Sequence, residues 1–114
     1  MSAGETEAWL TQLRKGVLEL CVLNALRGGA QYGYDILRGL REVEGLVVRE
    51  GSVYSVLSRL KADGLLSAEL RESSSGPPRR YFSLTASGRR RVRAMNEHWR
   101  TLAQGIDGYV RLDP

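Results

Sequence analysis

The chain has 114 residues, enough for one small domain with its own core and too few for a multidomain enzyme. Seventeen Lys and Arg against thirteen Asp and Glu give a formal charge of +4, and fifteen of the seventeen cations are arginine. With 42% apolar and 26% charged residues the composition excludes a disordered chain, and no run approaches the ~20 apolar residues that span a bilayer.

Residues 1–8 are polar and acidic, unlike a signal peptide, and read as a flexible lead-in to a cytoplasmic protein. From Trp9 onward, Leu10, Leu13, Val17, Leu20, Leu23 and Leu26 recur in steps of three and four, which predicts an amphipathic helix. Its stretch Val17–Leu23 is apolar on nearly all sides, so this helix is expected at the centre of the core, with Cys21 as a buried thiol. Gly28-Gly29 ends it. A second helical pattern turns Ile36, Leu37, Leu40 and Val43 inward and stops near Gly45.

A third helix begins near Gly51 or Ser52. Val53, Val56, Leu57 and Leu60 form one apolar stripe, and Asp63-Gly64 closes the helix. Ser52, Ser55, Ser58 and Arg59 fall opposite that stripe, with Tyr54 and Lys61 on a flank. Serine is a poor helix former, but its small size lets a helix approach another surface closely.

The period then changes to two. Leu66, Ala68 and Leu70 alternate with Ser67, Glu69 and Arg71, and Arg80, Phe82 and Leu84 alternate with Arg79, Tyr81 and Ser83. The breaker cluster Ser73–Pro78 between them predicts a β-hairpin with a long loop. Thr85 caps a final long helix. Along it Val92, Met95, Trp99, Leu102, Ile106 and Tyr109 are spaced 3, 4, 3, 4 and 3, an a/d seam that predicts a partner helix from another subunit.

Three helices, a two-stranded wing and a long helix make the order of a winged helix-turn-helix DNA binder, mainly α with a small β-hairpin. The charge is distributed to match. Residues 79–100 carry seven arginines against one glutamate, while the rest of the chain is close to neutral. So concentrated a basic block fits a polyanionic partner, here double-stranded DNA. Arg89, Arg90, Arg91 and Arg93 either face DNA or are a solvated helix face.

Leu13-Arg14-Lys15-Gly16-Val17-Leu18, Tyr32-Gly33-Tyr34-Asp35-Ile36 and Gly51–Leu60 are followed by Asp63-Gly64-Leu65-Leu66, Gly76–Phe82 and Leu84-Thr85-Ala86-Ser87-Gly88. As an ordered set the chain resembles the short form of the PadR family of bacterial transcriptional regulators. The resemblance implies a homodimeric, repressor-like protein. Ser52, Tyr54, Ser55, Arg59 and Lys61 would lie on the recognition helix, Tyr34 near phosphates, and Pro78, Arg79 and Arg80 at the wing. Ser55 departs from the proline that the family often has there. Some relatives bind flat aromatic effectors in a dimer cavity lined by aromatics, a role for which Trp9 and Trp99 are the candidates.

The expected organisation is a flexible segment 1–8, a DNA-binding domain 9–84 and a dimerisation helix 85–112. The expected function is sequence-specific regulation by a homodimer on a near-palindromic operator, with no cofactor and no metal. With a single histidine and a single cysteine there is no ligand cluster, and no nucleophile has a nearby base, so an enzyme is disfavoured. A protein-interaction module that keeps the winged fold is the competing class.

Overall fold

The computed structural model describes residues 2–111. Helix α1 spans Ala3–Ala25, six residues ahead of the expected start at Trp9. The cause is a capping box. The Ser2 hydroxyl accepts from the Glu5 amide at 3.2 Å, and the Glu5 carboxylate accepts from the Ser2 amide at 3.3 Å. Residues 3–8 are therefore helical rather than a flexible lead-in, and Met1 lies outside the described residues. Leu18, Leu20, Val22 and Leu23 are buried in the second half of α1, while its first half stands exposed. Cys21 is half-buried, and that burial pushes its thiol pKa up.

Strand β1 (Gln31–Tyr32) leads directly into α2 (Gly33–Arg41), which buries Ile36, Leu37 and Leu40 as expected. Val43 does not turn inward. The helix closes at Arg41 with tightened bonds from Glu42 to Gly39 and from Val43 to Leu40, both 3.1 Å, which leaves Val43 exposed in the loop.

Helix α3 (Glu50–Ala62) buries Val53, Leu57 and Leu60 completely. It ends in a Schellman motif: the Leu65 amide bonds the Leu60 carbonyl and the Gly64 amide bonds that of Lys61, both at 3.0 Å.

Strands β2 (Leu66–Ser73) and β3 (Gly76–Leu84) pair antiparallel, and β1 adds to the other side of β3, giving the order β1-β3-β2. Two residues are too short to show alternation, so β1 left no periodic signal. The hairpin is tighter than expected, because Ser73 pairs with Gly76 and only Ser74-Ser75 turn. Pro77 and Pro78 belong to β3, beside an irregularity between Arg71 and Ser73. Proline cannot donate to a ladder, and a bulge is where a strand tolerates it.

Helix α4 (Ala86–Val110) follows the hairpin, and its N-cap residue Thr85 hydrogen-bonds it to the turn that closes α3. The Thr85 hydroxyl accepts from the Gly88 amide at 3.0 Å and donates to the Gly64 carbonyl at 2.7 Å. The Thr85 amide donates to the Leu65 carbonyl at 3.1 Å. Gly88 sits against that same carbonyl, so closely that a Cβ would overlap it. Farther along, Asn24 of α1 and Asn96 of α4 exchange amide hydrogen bonds of 2.8 Å in both directions.

The helix seam divides at this contact. Val92 is buried in the protomer's own core and Met95 packs against it, so these two are internal residues and not part of a free seam. Trp99, Leu102, Ile106 and Tyr109 remain exposed. Residue 112, the expected end of the helix, lies outside the described residues.

Gly88→Ala should lower stability by about 1–3 kcal/mol through overpacking, which costs more than the gain in helix propensity returns. Thr85→Ala should cost about 1–2 kcal/mol. Thermal unfolding of the two variants beside a surface control such as Ala94→Ser checks both figures.

Candidate nucleic-acid interface

Burial of Val53, Leu57 and Leu60 fixes the rotation of α3 and turns Ser52, Ser55, Ser58, Arg59 and Lys61 to the surface. The two flanks of this polar face have different neighbours. Tyr54, half-buried, leans on the start of α2: a Cβ on Gly33 would sit 3.0 Å from Tyr54 Cε1 and 3.3 Å from Phe82 Cε2. Glycine is therefore needed at residue 33 for α2, α3 and β3 to meet. Burial first, then Glu50, Tyr32 and Tyr34, push the Tyr54 hydroxyl pKa up from its ordinary value.

The opposite flank faces α1. Arg59 donates to Glu19 at 2.8 Å. Ser52, Ser55 and Arg59 line a groove of about 420 Å³ with Lys15 and Arg49, over an apolar floor that includes Leu18 and Leu46. Val47 on its rim has φ of 51°, a costly conformation for a β-branched residue. The loop is held by Arg14, whose Nε donates to the Gly45 carbonyl at 3.0 Å.

The wing carries its cations on both faces. The register pairs Leu70 with Arg80 and Ala68 with Phe82, in line with the buried Leu66 and Leu84, so Arg80 lies on the core side. Arg71 pairs with Arg79, and Glu69 with Tyr81, on the outer side. Arg71 stacks over Tyr81 at 4.4 Å, Arg79 over Tyr32 at 4.8 Å, and Arg80 over Phe82 at 5.4 Å. Tyr32 also lies 6.3 Å from Tyr34 and 6.0 Å from Tyr81, ring centre to ring centre. Pro78 stiffens the tip next to Arg79.

The expected residues thus form three groups. Ser52, Ser55 and Arg59 share the α1 groove. Tyr34 and Tyr54 join the sheet aromatics, and Arg79 lies over Tyr32 in that same cluster. Lys61 is exposed outside both, and Arg80, on the other face of β3 from Arg79, lines a small hollow at the wing tip with Pro78, Arg79 and Tyr32. Arg89 donates to the Leu84 carbonyl at 3.2 Å and Arg90 to the Ser87 hydroxyl at 3.0 Å, which ties the start of the basic helix face to its own first turn.

Glu19, Tyr32, Arg71 and Tyr81 were not among the expected DNA-contacting residues, although Tyr32 and Tyr81 stand in the motifs that carry the resemblance. Arg71 had a local signal, its place on the polar side of an alternating strand. The partnership of Glu19 with Arg59 spans forty positions and has none.

Trp9 is 57% exposed on α1 and Trp99 is 44% exposed on α4. Among the described residues no helix is long and apolar enough to cross a membrane.

A double-mutant cycle of Glu19→Gln and Arg59→Ala should return a coupling of about 0.2–1 kcal/mol in urea unfolding, the range of a partly exposed pair. A coupling near zero would show that the two side chains are not held together in solution.

The geometry agrees with what the chain is similar to. The transcriptional regulator PadR-like family matches residues 22–94, which run from the buried half of α1 to the start of α4. A PadR family transcriptional regulator from Eggerthella lenta superposes with a TM-score of 0.80 at 28% identity, over 96% of each chain. The PadR-like transcriptional regulator of Bacillus cereus gives a TM-score of 0.81 at 29% identity, over 90% of this chain and 99% of its own. A Streptococcus transcriptional regulator is 36% identical with a TM-score of 0.77, over 88% of this chain and 98% of its own. The members of this family are regulators of transcription that bind DNA through a winged helix, and not enzymes. The chain described here belongs to the PadR-like family of transcriptional regulators.

Proposed function

We propose that two copies of this chain bind a near-palindromic operator and repress transcription by occluding the promoter from polymerase, in the bacterial cytoplasm. The observation that carries this reading is the pairing of two surfaces on one rigid frame. One is a polar face on α3 beside an arginine-bearing wing. The other is an apolar surface on α1 and α4 that the protomer leaves uncovered. Helix α3 is the recognition helix. Ser52, Tyr54, Ser55, Arg59 and Lys61 face the major groove and its phosphates, Tyr34 contacts the backbone from α2, and Pro78, Arg79 and Arg80 contact it from the wing.

The dimer reading rests on shape and exposure. The radius of gyration is 16.4 Å, against about 13 Å for a compact domain of this length. The molecule measures 57 × 32 × 22 Å. Trp99, Leu102, Ile106 and Tyr109 are each at least 44% exposed, as are Trp9 and Leu13 on α1. So much large apolar surface is more than a monomer ordinarily leaves bare. An aromatic effector stacked on Trp9 or Trp99 between the two copies would change the angle between the wings and so the fit to the operator.

Selection of genomic fragments by the purified protein should return pseudo-palindromes with half-sites about 34 Å apart, bound by two chains per duplex. Affinity should fall steeply with salt, because arginine–phosphate contacts release counterions. Sites without two-fold symmetry, or salt-independent binding, would count against the reading. Trp99→Asp should give a monomer by light scattering that binds the selected operator far more weakly. An unchanged dimer mass would remove Trp99 from the interface.

A further inference from the structure

We propose that Tyr54, Tyr34, Tyr32, Tyr81, Arg79 and Arg71 form one continuous strip from the recognition helix to the wing tip that holds a single strand of DNA phosphate backbone. In this strip Arg71 is a phosphate contact, and Tyr32 and Tyr81 are positioning residues. The inference rests on the DNA-binding reading above and assigns its backbone-gripping surface.

Continuity is the first argument. Tyr54 lies against Gly33, between Tyr32 and Tyr34 in the chain. Tyr32 touches Tyr34 on one side and pairs in register with Tyr81 on the other. Arg79 covers Tyr32 and Arg71 covers Tyr81. The strip thus offers phenol hydroxyls at its α3 end and guanidiniums at its wing end. Both are donors suited to phosphate oxygens.

Electrostatics is the second argument. Arg71 and Arg79 are direct cross-strand partners, and like charges placed opposite each other destabilise a sheet. In the free protein each is held by a tyrosine face. Stacking fixes the plane of a guanidinium and so aims its N–H groups for contact with a phosphate, although those of Arg71 are engaged by Glu69 in the free protein. The nearest acid is Glu69, which binds Arg71 at 2.7 Å. Both side chains of that pair are about half exposed, so the bond is weak and screened and a phosphate displaces it readily. Arg80 stacks on the core-side face of the same strand and lies outside the strip.

The test is fluorescence anisotropy of the full chain on a labelled random-sequence duplex and on its selected operator, across a salt series. Arg71→Ala should weaken both duplexes alike, by about tenfold at low salt. It should also lower the slope of log affinity against log salt by about 0.9. Glu69→Gln should tighten binding, the opposite sign from a structural lesion. Tyr32→Leu should weaken binding and Tyr32→Phe should restore it, because the ring and not the hydroxyl holds Arg79. Arg111→Ala, at the far end of α4, should leave affinity and slope unchanged.

A wild-type protein that binds neither duplex overturns the DNA-binding reading and the strip with it. A wild type that binds both, with an Arg71→Ala variant of equal affinity and slope, overturns the strip alone. Competition by polyglutamate as effective as by duplex overturns the assignment of phosphate as the occupant.

Discussion

The joint between α3 and α4 is the constraint on which the functional geometry depends. One hydroxyl, that of Thr85, is used in both directions: it accepts from the Gly88 amide that starts α4 and donates to the Gly64 carbonyl that ends α3. The Thr85 amide and the absent side chain of Gly88 both address the next carbonyl, that of Leu65. A buried carbonyl without partners is costly, so the two helices cannot shift past one another without losing these bonds together. In the dimer proposed above, this joint would fix the angle between α3, the proposed recognition helix, and α4, the proposed dimer helix. An operator spacing is a property of that angle. The Asn24–Asn96 exchange ties α4 to α1 at a second point and leaves the rest of α4 free beyond it.

The charge of the molecule takes on meaning only by position. A formal charge of +4 describes a mildly basic domain. Folding brings Arg71 against Arg79 across two strands and spreads tyrosines beneath them. It also turns Arg59 toward Glu19, leaving the guanidinium about half exposed. Arg79 and Arg80 on the wing stack on aromatic rings, Arg71 both stacks on Tyr81 and pairs with Glu69, and Arg59 on α3 pairs with Glu19. If Arg59 contacts DNA as proposed, it gives up its bond to Glu19 to do so. The wing has only the weak Glu69 contact to exchange.

Much of the fold was legible because its signals are local. The spacing of Val53, Leu57 and Leu60 gave the buried stripe of α3, and the switch to alternation at Leu66 marked the hairpin. The pattern Leu-Thr-x-x-Gly marked the start of α4. Errors fell where a non-local or very short feature decided the outcome. Ser2 and Glu5 cap α1 earlier than its apolar pattern begins. Strand β1 is two residues long and exists only because β3 offers an open edge. Val92 and Met95 continue the heptad spacing of Trp99 in sequence, but Val92 is buried in the protomer's own core and Met95 packs against that core.

The sequence by itself determined the order of helices and strands, the basic block from Arg79 to Arg100 and the motifs of the PadR-like family, since each is written in neighbouring residues. Only the tertiary structure decided which side chains of different elements meet. It set Arg71 opposite Arg79 across two strands, brought Tyr54 against Gly33 and Phe82, paired Arg59 with Glu19 of α1, and buried Val92 while Trp99, Leu102, Ile106 and Tyr109 stay exposed. The physical reason is that strand register and helix rotation are set by burial of distant apolar partners. A one-residue change in either would regroup every polar side chain on the opposite face.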